Sequence, residues 1–181
     1  IRLSRRFECQ KYGIHAGFLL DISINEIGKT ITNNNIYEKK QSLKRFSEAW
    51  KSLLDYSKDK PKLYIENNVF SNNNKQQFDN INPFLFSSFE GFKELNRMIN
   101  FNPLIDLAHL KVSAKSLSLD FNKQLTALLP LTDYIHLSDN NGLQDQNKGL
   151  NEGSDILEVI KNNNVTNKTI TLEVYDGIYN I

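Results

Sequence analysis

Cysteine is almost missing from this sequence: Cys9 is the only one in 181 residues, so no disulfide can form within the chain. A reducing, cytoplasmic setting fits that usage. No run approaches the ~18 apolar residues that a membrane helix needs, and no signal-peptide pattern is visible, so no membrane role is expected. An excess of charge of one sign is lacking too. Lys+Arg number 22 against 21 Asp+Glu, a net charge of +1, which argues against a face built for nucleic acid. Neither glycine-rich nucleotide loop, Walker or Rossmann, occurs. The first residue is Ile1, not methionine, and Ile1–Gln10 reads as a charged stub, so the chain is expected to lack its natural beginning.

What is present is enough for one domain over residues 1–181, with 39% apolar and 24% charged residues. Asparagine clusters at 33–35, 67–68, 72–74 and 162–164 punctuate the chain as turns, and no chemistry is assigned to them. Between them, short apolar runs alternate with helical patterns. Tyr12–Gly17 predicts a strand ending near His15, with Gly17 allowing a turn; Phe18–Ile24 either extends it or lines a loop. Leu43, Phe46, Trp50, Leu53 and Leu54 mark one face of a helix within 38–57, and Pro61 prevents its continuation.

Lys62–Glu66 is the next strand, followed by a long loop to Pro83 of the kind that covers substrate. Ser87 to Glu90 has the capping-box pattern and opens a helix carrying Phe92, Leu95 and Ile99. Pro103–Asp106 is the third strand, and Asp106 and His109 supply two polar ends. Residues 117–131 contain a helix with Phe121, Leu125, Leu128 and Leu129. Tyr134–His136 is the fourth strand, Ser154 caps a helix with Ile156, Leu157 and Ile160, and Lys168–Glu173 is the fifth strand. Strand–helix alternation predicts βα units and a parallel sheet.

The strands stop at His15, Glu66, Asp106, His136 and Glu173, which brings these groups to one rim. Alone, each has an ordinary explanation: a solvated or capping carboxylate, a structural histidine, an N-cap aspartate. Together, Glu66, Asp106, His136 and Glu173 form a set able to hold one divalent metal ion with positions left open for water or substrate oxygens. A polar loop follows His136, containing Asp139, Asn140, Asn141, Gly142 and Asp145. Lys111 is either a phosphate contact or a solvated lysine.

The ordered pieces HAGF, IENN, LIDLAHL, YIHLSDNNG, Asp145-x-x-x-Gly149-x-x-x-Gly153 and TLEVY resemble the xylose isomerase-like barrels, over about His15 to Glu173. The resemblance implies an α/β fold, a (β/α)8 TIM barrel, of which this chain supplies about the last five units. On the order of 80–100 residues of earlier barrel would then lie outside it. It also implies a metal-dependent isomerase or epimerase of a sugar or sugar phosphate, acting through a metal-stabilised enediolate. Glu66 and Glu173 would serve as ligands doubling as acid and base, and Asp106 and His136 as further ligands. His109, His15 and Asp145 would contact substrate. A homo-oligomer is compatible with this. The same superfamily includes the endonuclease IV type of abasic-site nuclease, whose zinc cluster needs a further histidine; here Asn147 stands in its place. That hydrolytic reading and a non-catalytic or truncated barrel subunit are the alternatives.

Overall fold

The computed structural model describes residues 1–23, 26, 31–58 and 60–175. Five strands form one sheet: β1 (Lys11–His15), β2 (Lys62–Glu66), β3 (Asn102–Asp106), β4 (Tyr134–Leu137) and β5 (Thr169–Leu172). They lie side by side in chain order, and every pairing is parallel. A parallel sheet that never reverses its strand order lacks the switch-point crevice of doubly wound folds. It curls instead into a half-barrel.

Helices cross between the strands. The short α1 (Arg2–Arg6) lies within the stretch read as a charged stub, and Arg5 donates to the carbonyls of Ser57 and Lys60. In α2 (Lys39–Ser57), Glu38 caps the first turn by accepting from the N–H groups of Lys40 and Gln41. Leu43 and Trp50 are buried, and Phe46 and Leu53 pack against the core, but Leu54 is exposed. A face drawn through i+10 and i+11 is wider than the groove that receives it.

The long loop after β2 contains a helix, α3 (Asn72–Gln77), closed by a reciprocal cap between Ser71 and Asn74. One asparagine cluster is thus a helix start. Before α4 (Phe89–Met98) the capping residue is Ser88, whose Oγ accepts from Gly91 N–H, so the Ser87–Glu90 box does not form as the sequence pattern suggests. After α5 (Leu107–Ser116) and α6 (Phe121–Leu128) comes a single 3-10 turn over Leu129–Leu131, and α7 (Asp155–Asn162) is capped by Ser154 as expected.

Helix α5 has no counterpart in the sequence reading. Eight of its ten residues are buried, so it shows no amphipathic stripe to read. It starts directly from β3 with Asp106 as N-cap. The chain from Phe18 to residue 23 is loop rather than strand, touching Pro83–Leu85 through an antiparallel bridge at Phe18 and Phe84, and Ile24 lies outside the described residues. Gly17 is required by packing rather than by a turn: a Cβ there would sit 2.6 Å from the Phe46 ring.

Candidate metal centre

Parallel pairing sets the rim. His15 lies opposite Glu66 across β1 and β2, and Asp106 lies opposite His136 across β3 and β4. Glu173 follows β5 directly, its N–H donating to Leu137 O at 3.0 Å. The sheet therefore delivers all five strand-end groups to one edge, and its curl turns them inward.

One ligand atom from each of Glu66, Asp106, His136 and Glu173 lies within 4.8 Å of the others. Ligands about 2.1 Å from one ion stand roughly 3 Å apart when adjacent and about 4.2 Å when opposite. A few tenths of an ångström of side-chain movement therefore suffices for all four to bind one cation. His136 Nδ1 sits 3.1 Å from Glu66 Oε1 and 3.0 Å from Glu173 Oε1. Burial disfavours charge on this imidazole, but its bonds to Glu173 and Glu66 and the charges they carry outweigh that and raise its pKa to about 11. Nδ1 thus lies between two carboxylates, and a metal ion bound by all three groups would replace those contacts.

Asp106 is fully buried. Its Oδ1 accepts the His109 N–H at 2.7 Å as the cap of α5, while its Oδ2 has no hydrogen-bond partner among the described residues. Burial raises its pKa to about 6, with Glu66 and Asp145 adding to the rise and His109 opposing it. A buried carboxylate oxygen without a donor costs stability unless something cationic reaches it, so the donor set fits a metal ion on that ground too.

The remaining expected residues converge on the same place. His109, on the first turn of α5, holds Asp145 Oδ2 at 3.2 Å through Nε2 and lies 3.8 Å from Glu66 Oε1 through Nδ1. Burial opposes its protonation, but Asp106, Asp145 and Glu66 together raise its pKa to about 10. His15 is half-exposed, 3.8 Å from Glu66 Oε2. Its pKa is lowered, by burial first and by the two neighbouring histidines against the pull of Glu66 and Glu173. Among the described residues these carboxylates are paired with histidines and with no lysine or arginine. The centre thus gathers four carboxylates (Glu66, Asp106, Asp145, Glu173) with imidazoles, and no permanent cation among the described residues, to face them.

Two residues of the centre were missed in the sequence. Asn67 and Asn68, read as turn punctuation, are buried at the end of β2. Asn67 accepts the Asp106 N–H at 2.7 Å and donates to Asp106 O at 3.0 Å. Its own carbonyl accepts from His109 Nδ1 at 2.9 Å, which turns Nε2 towards Asp145. Asn68 Nδ2 ties the end of β1 to the later loop through Ala16 O and Leu85 O. The signal lay in position: an amide directly after a strand-end carboxylate is placed to pair with the next strand.

The loop after β4 is pinned rather than free. Asp139 and Lys148 exchange backbone hydrogen bonds, and Asn140 Nδ2 donates to Ala108 O at 2.9 Å, which holds Asp145 against His109. Lys111 serves the same pinning, with Nζ 2.9 Å from both Asp139 Oδ1 and Asn140 O and 3.4 Å from Asp155 Oδ2. Its ammonium is occupied in structure, not held ready for a phosphate. Asn147 Oδ1 accepts from Ser138 Oγ at 3.2 Å.

Compared with protein-family models, with curated proteins and with solved structures, the chain matches none. The resemblance to xylose isomerase-like barrels therefore rests on the motifs alone, and what it implies enters only as a proposal.

Proposed function

We propose that this chain carries the metal centre of a (β/α)8-type enzyme that isomerises or epimerises a sugar by moving a proton on the carbon next to its carbonyl. The observation that carries this reading is the convergence of Glu66, Asp106, His136 and Glu173 to within 4.8 Å of one another, from four different strands. A divalent ion held there would polarise the substrate carbonyl and offset the charge that develops on its oxygen. Glu66 reaches His136 from β2, two strands away across β3, and Glu173 from the end of β5, the neighbouring strand on the other side. One takes the carbon-bound proton and the other returns one, as a pair of bases on different sides of a bound carbon must. His109, its Nδ1 committed to the Asn67 carbonyl and its Nε2 to Asp145 Oδ2, fixes the Asp145 carboxylate, whose Oδ1 is left to accept from a substrate hydroxyl.

A hydrolytic reading has one observation in its favour: His15, Glu66 and His109 form a second trio of ligand atoms within 4.8 Å, sharing Glu66 with the first set. Against it, the nearby Asn147 is turned to Ser138. Counting ions separates the two. The isomerase reading expects one tightly held divalent ion per chain in an anomalous-scattering map, and solvent deuterium entering the sugar at the reacting carbon. Two or three ions with cleavage of an abasic-site oligonucleotide would replace it with the nuclease reading, and no ion at all would end both.

A further inference from the structure

The five groups of the rim stand on a layer of side chains supplied by their own strands. Residues two apart along a strand point the same way, so beneath His15, Glu66, Asp106, His136 and Glu173 lie Gly13, Tyr64, Leu104, Tyr134 and Thr171. Gly13 leaves the space that Leu104 fills: a Cβ there would sit 2.7 Å from Leu104 Cδ1. Tyr64, fully buried, meets the Tyr134 ring at 5.3 Å with the planes 85° apart. Thr171 Oγ1 donates to the Tyr134 hydroxyl at 3.2 Å, and Thr171 is the residue paired with His136 across β4 and β5. Lys11 Nζ stands 5.4 Å from the centre of the same ring. Tyr134 is therefore held by side chains from three other strands, β1, β2 and β5.

The Tyr134 ring in turn meets the His136 ring at 5.2 Å, with the planes 83° apart. Perpendicular ring pairs at this separation are favourable and directional. The orientation of an imidazole about its Cβ–Cγ bond is otherwise only loosely set, because that torsion has broad wells. Turning the ring would carry Nδ1 away from the gap between Glu66 Oε1 and Glu173 Oε1, where it now lies 3.1 Å from one and 3.0 Å from the other. An ion arriving in that gap would take over the Nδ1 contacts. Ring packing needs neither ring nitrogen, so the Tyr134 contact persists when they are replaced. Residues that orient metal-binding histidines without touching the ion govern its affinity.

We infer that Tyr134 is a positioning residue of the rim: its ring, braced by Tyr64 and Thr171, sets the His136 imidazole so that Nδ1 faces the gap between the two glutamates. This rests on the reading of the rim as a metal centre and adds to it a residue that touches no ion. The test is cobalt titration of the whole chain, followed by calorimetry and visible absorption, on the native protein and on Tyr134→Leu, Tyr134→Phe and Ile135→Val. Ile135 is buried on the opposite face of β4 and serves as the structural control. Tyr134→Leu should weaken cobalt binding roughly 3- to 10-fold, the range of one aromatic pair, and shift the cobalt absorption bands, which report ligand geometry. Tyr134→Phe keeps the ring and should restore both affinity and bands. Ile135→Val should lower the melting temperature and leave cobalt binding as it is. NMR of the metal-free native protein adds a reading that needs no variant to fold: cross-relaxation between the ring protons of Tyr134 and His136. Native affinity and bands in Tyr134→Leu, binding as weak in Tyr134→Phe as in Tyr134→Leu, an equal loss in Ile135→Val, or no cross-relaxation in the native chain would each overturn the inference. If the native chain binds cobalt and Tyr134→Leu changes nothing, only this inference falls. If it binds no ion, the metal reading falls, while the His136 ring signals of the metal-free native and Tyr134→Leu chains still decide whether Tyr134 sets the imidazole.

Discussion

The two ends of the same sheet handle charge in opposite ways. At the end where the strands begin, Asp133 lies between two ammonium groups, Lys11 at 3.2 Å and Lys62 at 3.1 Å, and Lys11 also donates to the Asp133 carbonyl. Both lysines stand about 5 Å over the Tyr64 ring, and Lys11 also lies over Tyr134. At the end where the strands stop, acids crowd together with only histidines between them among the described residues, none of which donates to Asp106 Oδ2. One end is charge-matched and stabilises the fold. The other stores repulsion, which is what a site does when a ligand is meant to relieve it.

The sharpest way to break that comparison is to remove one carboxylate from each end. Asp106→Asn keeps an Oδ1 to cap α5 but removes the negative charge, so metal affinity should fall by more than the roughly 10–100-fold lost with an outer-shell partner. The melting temperature of the metal-free protein should hold or rise. Asp133→Asn should do the reverse, lowering the melting temperature by about 1–3 °C, since its pairs are half-exposed, with metal affinity unchanged. If Asp106→Asn destabilises the metal-free chain as Asp133→Asn does, the two ends are not different in kind.

Next in size is the response of the native chain to the ion itself. A divalent ion at about 100 times its dissociation constant should add about 2.7 kcal/mol, roughly 5–11 °C for a chain of this length, reversed by a chelator. A melting curve indifferent to manganese, zinc and cobalt would remove the distinction between the rim and any acidic surface. Smaller again is Asn67→Ala. It frees the Asp106 N–H and carbonyl without touching a ligand atom, and leaves the backbone carbonyl that holds His109 Nδ1 in place. Metal affinity should then drop about 10–100-fold, and stability by roughly 1–3 kcal/mol for the buried groups left unpaired. Calorimetric titration on this variant, beside the metal-free melting curve, separates the two effects.

How far these ends could be read from the sequence follows from what each depends on. Strand ends at His15, Glu66 and Asp106, and at His136 to within one residue, were legible because a short apolar run stopped by one polar group is a local pattern. In-register parallel pairing then aligned them. Helix α5 was not legible, because a helix buried on all sides has no periodicity to detect. Asn67 was hidden by its neighbours: in a chain with so many asparagine clusters, a buried structural amide looks like another turn. The role of Lys111 was left open between two readings. Neither holds: a loop fold brings Asp139 and Asn140 to its ammonium, which is largely buried rather than solvated. Nothing in the sequence pointed to the Lys11–Asp133–Lys62 cluster, since it joins residues more than 70 positions apart.

That cluster supplies the last and smallest test, and its sign comes from the Asp133 carboxyl. Burial pushes its pKa up, but Tyr64 and the two lysines hold it down to about 2, below its ordinary 3.8. The unfolded chain therefore takes up this proton first as pH falls, and stability from the cluster is present above about pH 4 and lost as pH drops through 2. The melting-temperature difference between the native chain and Asp133→Asn should be constant from pH 7 to 4 and shrink below that. Both measurements are made on metal-free protein, so protonation of the rim carboxylates is common to the two and cancels. A difference that instead stays level down to pH 2 would mean that Tyr64 and the two lysines do not depress the Asp133 carboxyl.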